Sequence, residues 1–233
     1  MELTRWFGRY LSLAHSTRLG LRMAGHSTGL KLARIELAEI LMAGFLTTLM
    51  VSCGEAHPSS PDPNAPRPPV DNSGFVQHTE TTVVRVPMDA LTKWRRSVSL
   101  ESILHGTKRI PGVDHTVMVH GVWDETGARR RVFLKDGNTT TEEVLLNQRP
   151  ALFRYEVWGF TNWARFLTDY AVGEFQFHEA PGGTEVHWTY SFHRRSWLMT
   201  PVVSWVVQND FAEFMRSALQ TLKEAAERDY GKT

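Results

Sequence analysis

The sequence predicts an α+β domain in which a curved antiparallel sheet of about seven strands wraps around one long C-terminal helix. Two observations carry that expectation. Between 206 and 228, Phe211, Phe214, Met215, Ala218, Leu219, Leu222 and Ala225 recur at helical spacing, with Glu213, Arg216, Gln220, Lys223 and Glu227 on the opposite face. Ahead of that helix, six runs between 115 and 193 alternate with period two and are separated by turn residues. A stripe that opens with two Phe and a Met needs a broad apolar surface to lie on, and the strands supply it.

Taken in order, the chain divides at 1–53, 54–76 and 77–230. Through Cys53 there are six Lys and Arg against three Asp and Glu, and beyond it twenty against twenty-two. The near-neutral body lacks the concentrated basic face that nucleic acid requires, so no nucleic-acid partner is expected. Residues 40–52 form an uncharged apolar run of thirteen, too short to span a bilayer as a helix and of the length of a signal-peptide core. The run ends in Leu49-Met50-Val51-Ser52-Cys53, which resembles the lipobox of bacterial lipoproteins. That resemblance implies acylation at Cys53, cleavage before it, and a lipid anchor in the cell envelope on a periplasmic or extracellular face. A buried helix or a later start codon, with a cytoplasmic protein, is the alternative. Cys53 is also the only cysteine, so no intramolecular disulfide can form. Residues 54–76 hold Pro58, Pro61, Pro63, Pro66, Pro68 and Pro69 among Ser, Asn and Asp, a composition expected to stay extended as a disordered linker.

In the third segment, β-branched alternation over 79–86 reads as a strand that Pro87 ends, and 88–94 and 99–104 read as short helices. Strands follow at 115–122, 129–134, 139–146, 152–159, 170–179 and 184–193, with turns at Asp124-Glu125-Thr126-Gly127, Asp136-Gly137-Asn138 and Pro181-Gly182-Gly183. On the last strand Val186, Trp188, Tyr190 and Phe192 point one way and Glu185, His187, Thr189, Ser191 and His193 the other. Phe175 and Phe177 share a face with Gly173, and Phe153, Tyr155 and Val157 share another. An aromatic concave face opposite Phe211 and Met215 follows, and incomplete filling there would leave a pocket.

Alternation also places Arg130 in line with Val132, and Glu142 in line with Val144, on neighbouring inward rows. Inward charges are costly unless paired. The two read as a structural salt bridge, as groups that orient a polar ligand head, or as outward residues if the register slips.

Pro111-Gly112-Val113, Gly127, Arg130-Arg131-Val132, Asp136-Gly137, Glu142, Tyr155 and Gly182-Gly183-Thr184-Glu185-Val186, followed by an aromatic strand and a C-terminal helix, resemble the polyketide cyclase/dehydrase-like branch of the START/Bet v 1 (SRPBCC) superfamily. The resemblance implies a helix-grip fold with a cavity between sheet and helix that takes a hydrophobic small molecule or lipid. The residues expected around it are Arg130, Val132, Glu142, Tyr155, Phe175, Phe177, Trp188, Tyr190, Phe192, Phe211 and Met215. Enzymatic members exist, and a cyclase/dehydrase-like activity is the alternative, with Arg130, Glu142, Tyr155, Tyr190 and His120 as candidate acids, bases or hydrogen-bond donors. No metal-ligand spacing, phosphate loop or nucleophile elbow is present in the sequence, and neither metal nor cofactor is expected. The segment 160–170, with Trp163, Phe166 and Leu167, reads as a lid over the cavity mouth or as a packed connection.

Overall fold

Proline has no N–H to extend a ladder, and its fixed φ suits the first turn of a helix, so Pro87, three residues after the first strand ends at Val84, opens the next element. The computed structural model describes residues 61–71 and 73–231; the leader 1–53 and the acylation expected at Cys53 lie outside the described residues. β1 (Phe75–Val84) leads to α1 (Met88–Arg95) and a 3₁₀ turn at Leu100–Ser102. Then come β2 (Val113–His120), β3 (Arg129–Leu134), β4 (Thr139–Gln148), β5 (Leu152–Trp158), β6 (Thr168–Ala180) and β7 (Gly183–Arg194). A 3₁₀ turn at Trp163–Phe166 interrupts the step from β5 to β6.

All neighbours in the single sheet are antiparallel, in the order β1-β7-β6-β5-β4-β3-β2. The strands after α1 run as a meander, and β1 adds to the free edge of β7. Register places Gly173 between Tyr155 on one neighbour and Tyr190 on the other, and Phe175 beside Trp188. The inward row of β7 is buried at Val186, Trp188 and Tyr190, as the alternation requires.

The terminal helix begins earlier than its apolar stripe suggests. α2 (Thr200–Val206) carries Pro201 in its first turn, a π-turn spans Val207–Phe211, and α3 (Ala212–Tyr230) completes the rod. The wider turn puts both Val207 and Asp210 inside, and Asp210 accepts from Arg109 Nη1 at 2.8 Å. At the far end Ala226, four residues after Leu222, is the buried position, while Ala225 is only half-buried. Polar contacts fix the rod to the β1 edge: Arg216 Nη2 lies 2.7 Å from Glu80 Oε1, and Arg85 Nη2 lies 2.9 Å from Glu227 Oε2. Uncovered sheet edges invite pairing with other strands, and this one is covered.

One expectation from composition is corrected. Residues 61–71, read as disordered linker, lie along the outer face of the sheet. Arg129 Nη1 donates to the carbonyls of Pro63 and Ala65 at 3.0 and 2.8 Å, and the Asp71 N–H donates to Tyr170 Oη at 2.8 Å. Arg67 Nη1 lies 2.9 Å from Glu156 Oε2 and its Nε lies 3.1 Å from Glu143 Oε1. Val70 packs on the outer cluster of Trp158, Tyr170 and Val172. Proline-rich chain cannot fold alone, but its free carbonyls suit a preformed row of guanidinium donors.

The strap seals Glu156, which is 0% exposed. Burial is the main cause that pushes its carboxyl up to about 7, with Arg67 pulling the other way. A folded value above the unfolded one means the protonated form is favoured by folding. The contribution to stability is therefore complete below the ordinary glutamate range and is lost as pH rises through about 7. Glu156→Gln is expected to flatten the decline in melting temperature between about pH 5 and pH 8. Equal slopes for the variant and the wild type would reject this assignment.

Candidate functional site

The inner wall is built by register. A Cβ at position 173 would overlap the Tyr155 ring, so glycine is what lets that ring lie against β6. Tyr155 and Tyr190 then face each other over Gly173 with centroids 6.1 Å apart at 81°, while Trp188 stacks on Phe175 at 5.1 Å. Phe211 from the helix meets Tyr190 and Phe192 edge-on at 4.8 and 4.7 Å. Such rings pack at set spacings and directions, which limits how closely the sheet and helix can approach.

A cavity of about 140 Å³ remains between them. Its walls are Arg130, Val132 and Leu134 of β3, Thr140 and Glu142 of β4, Tyr155 and Val157 of β5, and Trp188, Tyr190 and Phe192 of β7. Val203, Val206, Val207, Phe211 and Phe214 close it from the helix. The segment between β5 and β6 is a wall of this cavity through Phe160, Asn162, Trp163, Ala164 and Leu167, and Asn162 Oδ1 caps its 3₁₀ turn by accepting from the Ala164 N–H at 3.0 Å. A second cavity of about 110 Å³ lies under α1, between Arg95, Trp123, Asp124, Phe153 and Phe175 on one side and Ala218, Leu219 and Leu222 on the other. The two share Leu100, Leu104, Arg130, Tyr155 and Trp188 as walls.

Charge enters the larger cavity as a pair. Arg130 and Glu142 are direct cross-strand partners, 9% and 7% exposed, with Nη2 2.6 Å from Oε2. The Arg130 guanidinium also lies over the Trp123 ring, 3.5 Å from its centroid. One residue along on each strand, Arg129 and Glu143 make the matching pair on the outer face at 2.6 Å. Burial raises the Tyr155 and Tyr190 hydroxyls above their ordinary range, and the charge of Glu142 adds to the effect on both. Both are therefore protonated donors at neutral pH. Burial lowers the Arg95 guanidinium to about 10, which still leaves it charged.

Eight of the residues expected around the cavity, Arg130, Val132, Glu142, Tyr155, Trp188, Tyr190, Phe192 and Phe211, line the larger void, and Phe175 lines the smaller. Phe177 and Met215 line neither and belong to the packed core, at 3% and 0% exposure. His120 is exposed on the sheet-edge strand β2 and faces neither cavity, so it drops out as an acid or base there. Arg95, Trp123 and the three helix valines were missed. The Val202-Val203 and Val206-Val207 doublets carry the signal for the last group, whereas nothing local turns Arg95 inward. Among the described residues no group of His, Cys, Asp or Glu is placed to hold a metal, and no helix is long and apolar enough to cross a membrane.

Comparison with known proteins agrees with this architecture. The family model described as polyketide cyclase / dehydrase and lipid transport matches residues 77–227. No curated protein matches the chain. Among solved structures, a norcoclaurine synthase point mutant from Thalictrum, in complex with a transition-state analogue, superposes with a TM-score of 0.53 at 8% identity, over 67% of this chain and 96% of its own. Ara h 8.0201 gives 0.51 at 16% identity over 66% of this chain and 98% of that one. The di-domain ARO/CYC StfQ of the steffimycin biosynthetic pathway gives 0.50 at 15%, over 67% of this chain and 52% of that one. At such identities the likeness is one of fold, and with the family match over most of the folded part it leads to one conclusion: this chain belongs to the polyketide cyclase/dehydrase and lipid-transport family of the SRPBCC superfamily and has its helix-grip fold.

Proposed function

We propose that the protein binds a hydrophobic small molecule or lipid in the cavity between the sheet and the C-terminal helix. The observation that carries this reading is an apolar-walled void of about 140 Å³ between the sheet and the helix. An engineered apolar cavity of roughly this size stays dry and takes benzene. Family and fold both fit hydrophobic-ligand binding.

A neutral series tests it. Each methylene moved from water into such a site contributes about 0.8 kcal/mol. Affinity for hexanol, octanol and decanol is therefore expected to rise by about ten-fold for every two carbons until the site is full. Displacement of 1-aminoanthracene reads it, and Val132→Phe should abolish the series by filling the void. No binding, or affinities that ignore chain length, would remove the proposal.

The buried Arg130–Glu142 pair beside two tyrosine donors favours a second reading, a cyclase/dehydrase-like enzyme acting on a ligand in the same cavity. The pair is better accounted for as structure that also orients a polar group. Breaking a buried pair from one side costs about 3–5 kcal/mol. Glu142→Gln is therefore expected to lower the stability measured by urea denaturation by that amount. An unmoved denaturation midpoint together with lost turnover of a polyketide substrate would favour the enzyme instead.

We also propose that Cys53 carries a lipid anchor that tethers the domain to an envelope membrane. Support comes from the lipobox-like run before Cys53. The docked strap is described from Pro61 onward, and the eight residue steps from Cys53 to Pro61 can span about 25–30 Å at most. The domain would be held near the lipid surface. Intact mass of the native protein should correspond to a chain starting at Cys53 plus acyl groups, and an unmodified chain retaining residues 1–52 would reject the anchor.

A further inference from the structure

The smaller cavity holds a guanidinium that no carboxylate among the described residues contacts, although the charge of Asp124 acts on it from farther off. Arg95 ends α1 and turns its guanidinium inward, 4.3 Å from the Phe153 ring centroid and 5.8 Å from those of Phe175 and Phe177. Ring faces offset part of the cost of taking a cation out of water, but they do not accept hydrogen bonds as a carboxylate does. Arg95 Nε is sealed from solvent with no hydrogen-bond partner, and no ion pair to Arg95 is present among the described residues.

The acids nearby are already engaged. Asp124 Oδ2 lies 2.6 Å from Arg96 Nε and 2.8 Å from Arg149 Nη1, and Asp124 Oδ1 accepts from Asn147 Nδ2 at 2.7 Å. Glu142 is held by Arg130. Four guanidiniums thus stand against two carboxylates at this end of the interior. The side chains of Arg96 and Arg149 are 48% and 41% exposed, so water serves their remaining N–H groups. Arg95 Nε has no such outlet, whereas the residue as a whole is half-buried and its two Nη groups are not sealed, which leaves them open to an incoming acceptor.

We propose that the smaller cavity is an anion subsite, in which the carboxylate of an amphipathic acid pairs with Arg95 and accepts from the Tyr155 hydroxyl while its apolar body fills the larger cavity. The inference rests on the ligand-binding reading above and adds a charged head and an orientation to it. Tyr155 lines both voids, so a ligand passing from one to the other must run beside its ring. One unpaired cation calls for one negative charge, and a carboxylate matches a guanidinium in planarity and in its two acceptor oxygens. A neutral guest would leave the guanidinium as it is, at the cost of an unpaired interior charge.

Decanoate and decanol, titrated at neutral pH by calorimetry into the full chain, separate the two proposals. In the wild type decanoate is expected to bind at least about ten-fold more tightly than decanol, the scale of a charge-assisted hydrogen bond. Arg95→Met should erase that preference while leaving decanol affinity within about two-fold, because the alcohol leans on the apolar walls alone. Its melting temperature without ligand should hold or rise, since an uncompensated charge has been removed. Should that variant fail to fold, [1-13C]decanoate bound to the wild type decides: its carboxyl resonance is expected to keep the ionised position at pH values where the free acid protonates. Decanol binding without a preference for decanoate, or a bound carboxyl that titrates like the free acid, overturns the anion subsite and leaves the hydrophobic site standing. Failure of both ligands to bind overturns both.

Discussion

Trp188 and Tyr190 on β7 meet Phe211 and Phe214 at the start of α3, and this aromatic contact sets the distance between sheet and helix. Its strength comes from area: each such side chain contributes about 1.5–3 kcal/mol on burial. Its geometry comes from register. Gly173 opposes both Tyr155 and Tyr190, so two rings lean over one position without a side chain, and the edge-on contacts of Phe211 hold the rod off the β7 surface. Ring against ring, the interface is firm at its rim and unfilled beside it.

Charge is arranged around that contact by the same alternation. Adjacent cross-strand pairs on β3 and β4 point to opposite faces, Arg130–Glu142 inward and Arg129–Glu143 outward. Outside, the pair is extended by Arg67 from the strap, which reaches both Glu143 and Glu156. Inside, Arg130 gains Trp123. Neither pair adds much net stability over an apolar replacement, since desolvation offsets most of the attraction. What they add is specification: a slip of one residue between β3 and β4 would turn Glu142 outward and Glu143 inward and break both pairs as they stand.

Much of this was legible in the sequence because it depends on local periods. Strand faces on β5, β6 and β7 follow from alternation, and the helix stripe from spacing of three and four. Where the reading went astray, a distant partner decides the outcome. The strap 61–71 has the composition of a linker, and only the guanidinium of Arg129 with the carboxylates of Glu143 and Glu156 gives it somewhere to lie. Val207 and Asp210 are both internal because the π-turn at Val207–Phe211 breaks the regular spacing, and Ala226 takes the buried place of Ala225 because positions three and four beyond Leu222 flank the same stripe and spacing alone does not choose between them. Phe177 and Met215 share a face with cavity residues but sit where sheet and helix close fully, and no periodicity distinguishes a packed position from a cavity wall on the same row. His120 alternates like an inward residue yet belongs to an edge strand and is exposed there.

An interior that leaves two voids side by side must be kept from collapsing, and the residues around them are suited to that. Rings stacked on rings, such as Phe175 on Trp188, cannot shift without losing contact on the other side, and the valines of α2 and the π-turn are too short and stiff to reach across. Larger flexible side chains would have filled the same volume: Met215 does so one turn along the helix, where exposure falls to 0%. The distribution of rigid and adaptable side chains therefore follows the boundary between packed core and open space. The guanidinium of Arg95 stands at that boundary among aromatic rings. Methionine in its place would fill the same space with no charge to desolvate, so the cation adds nothing that the packing there requires, and it is the group to which the proposed carboxylate would pair.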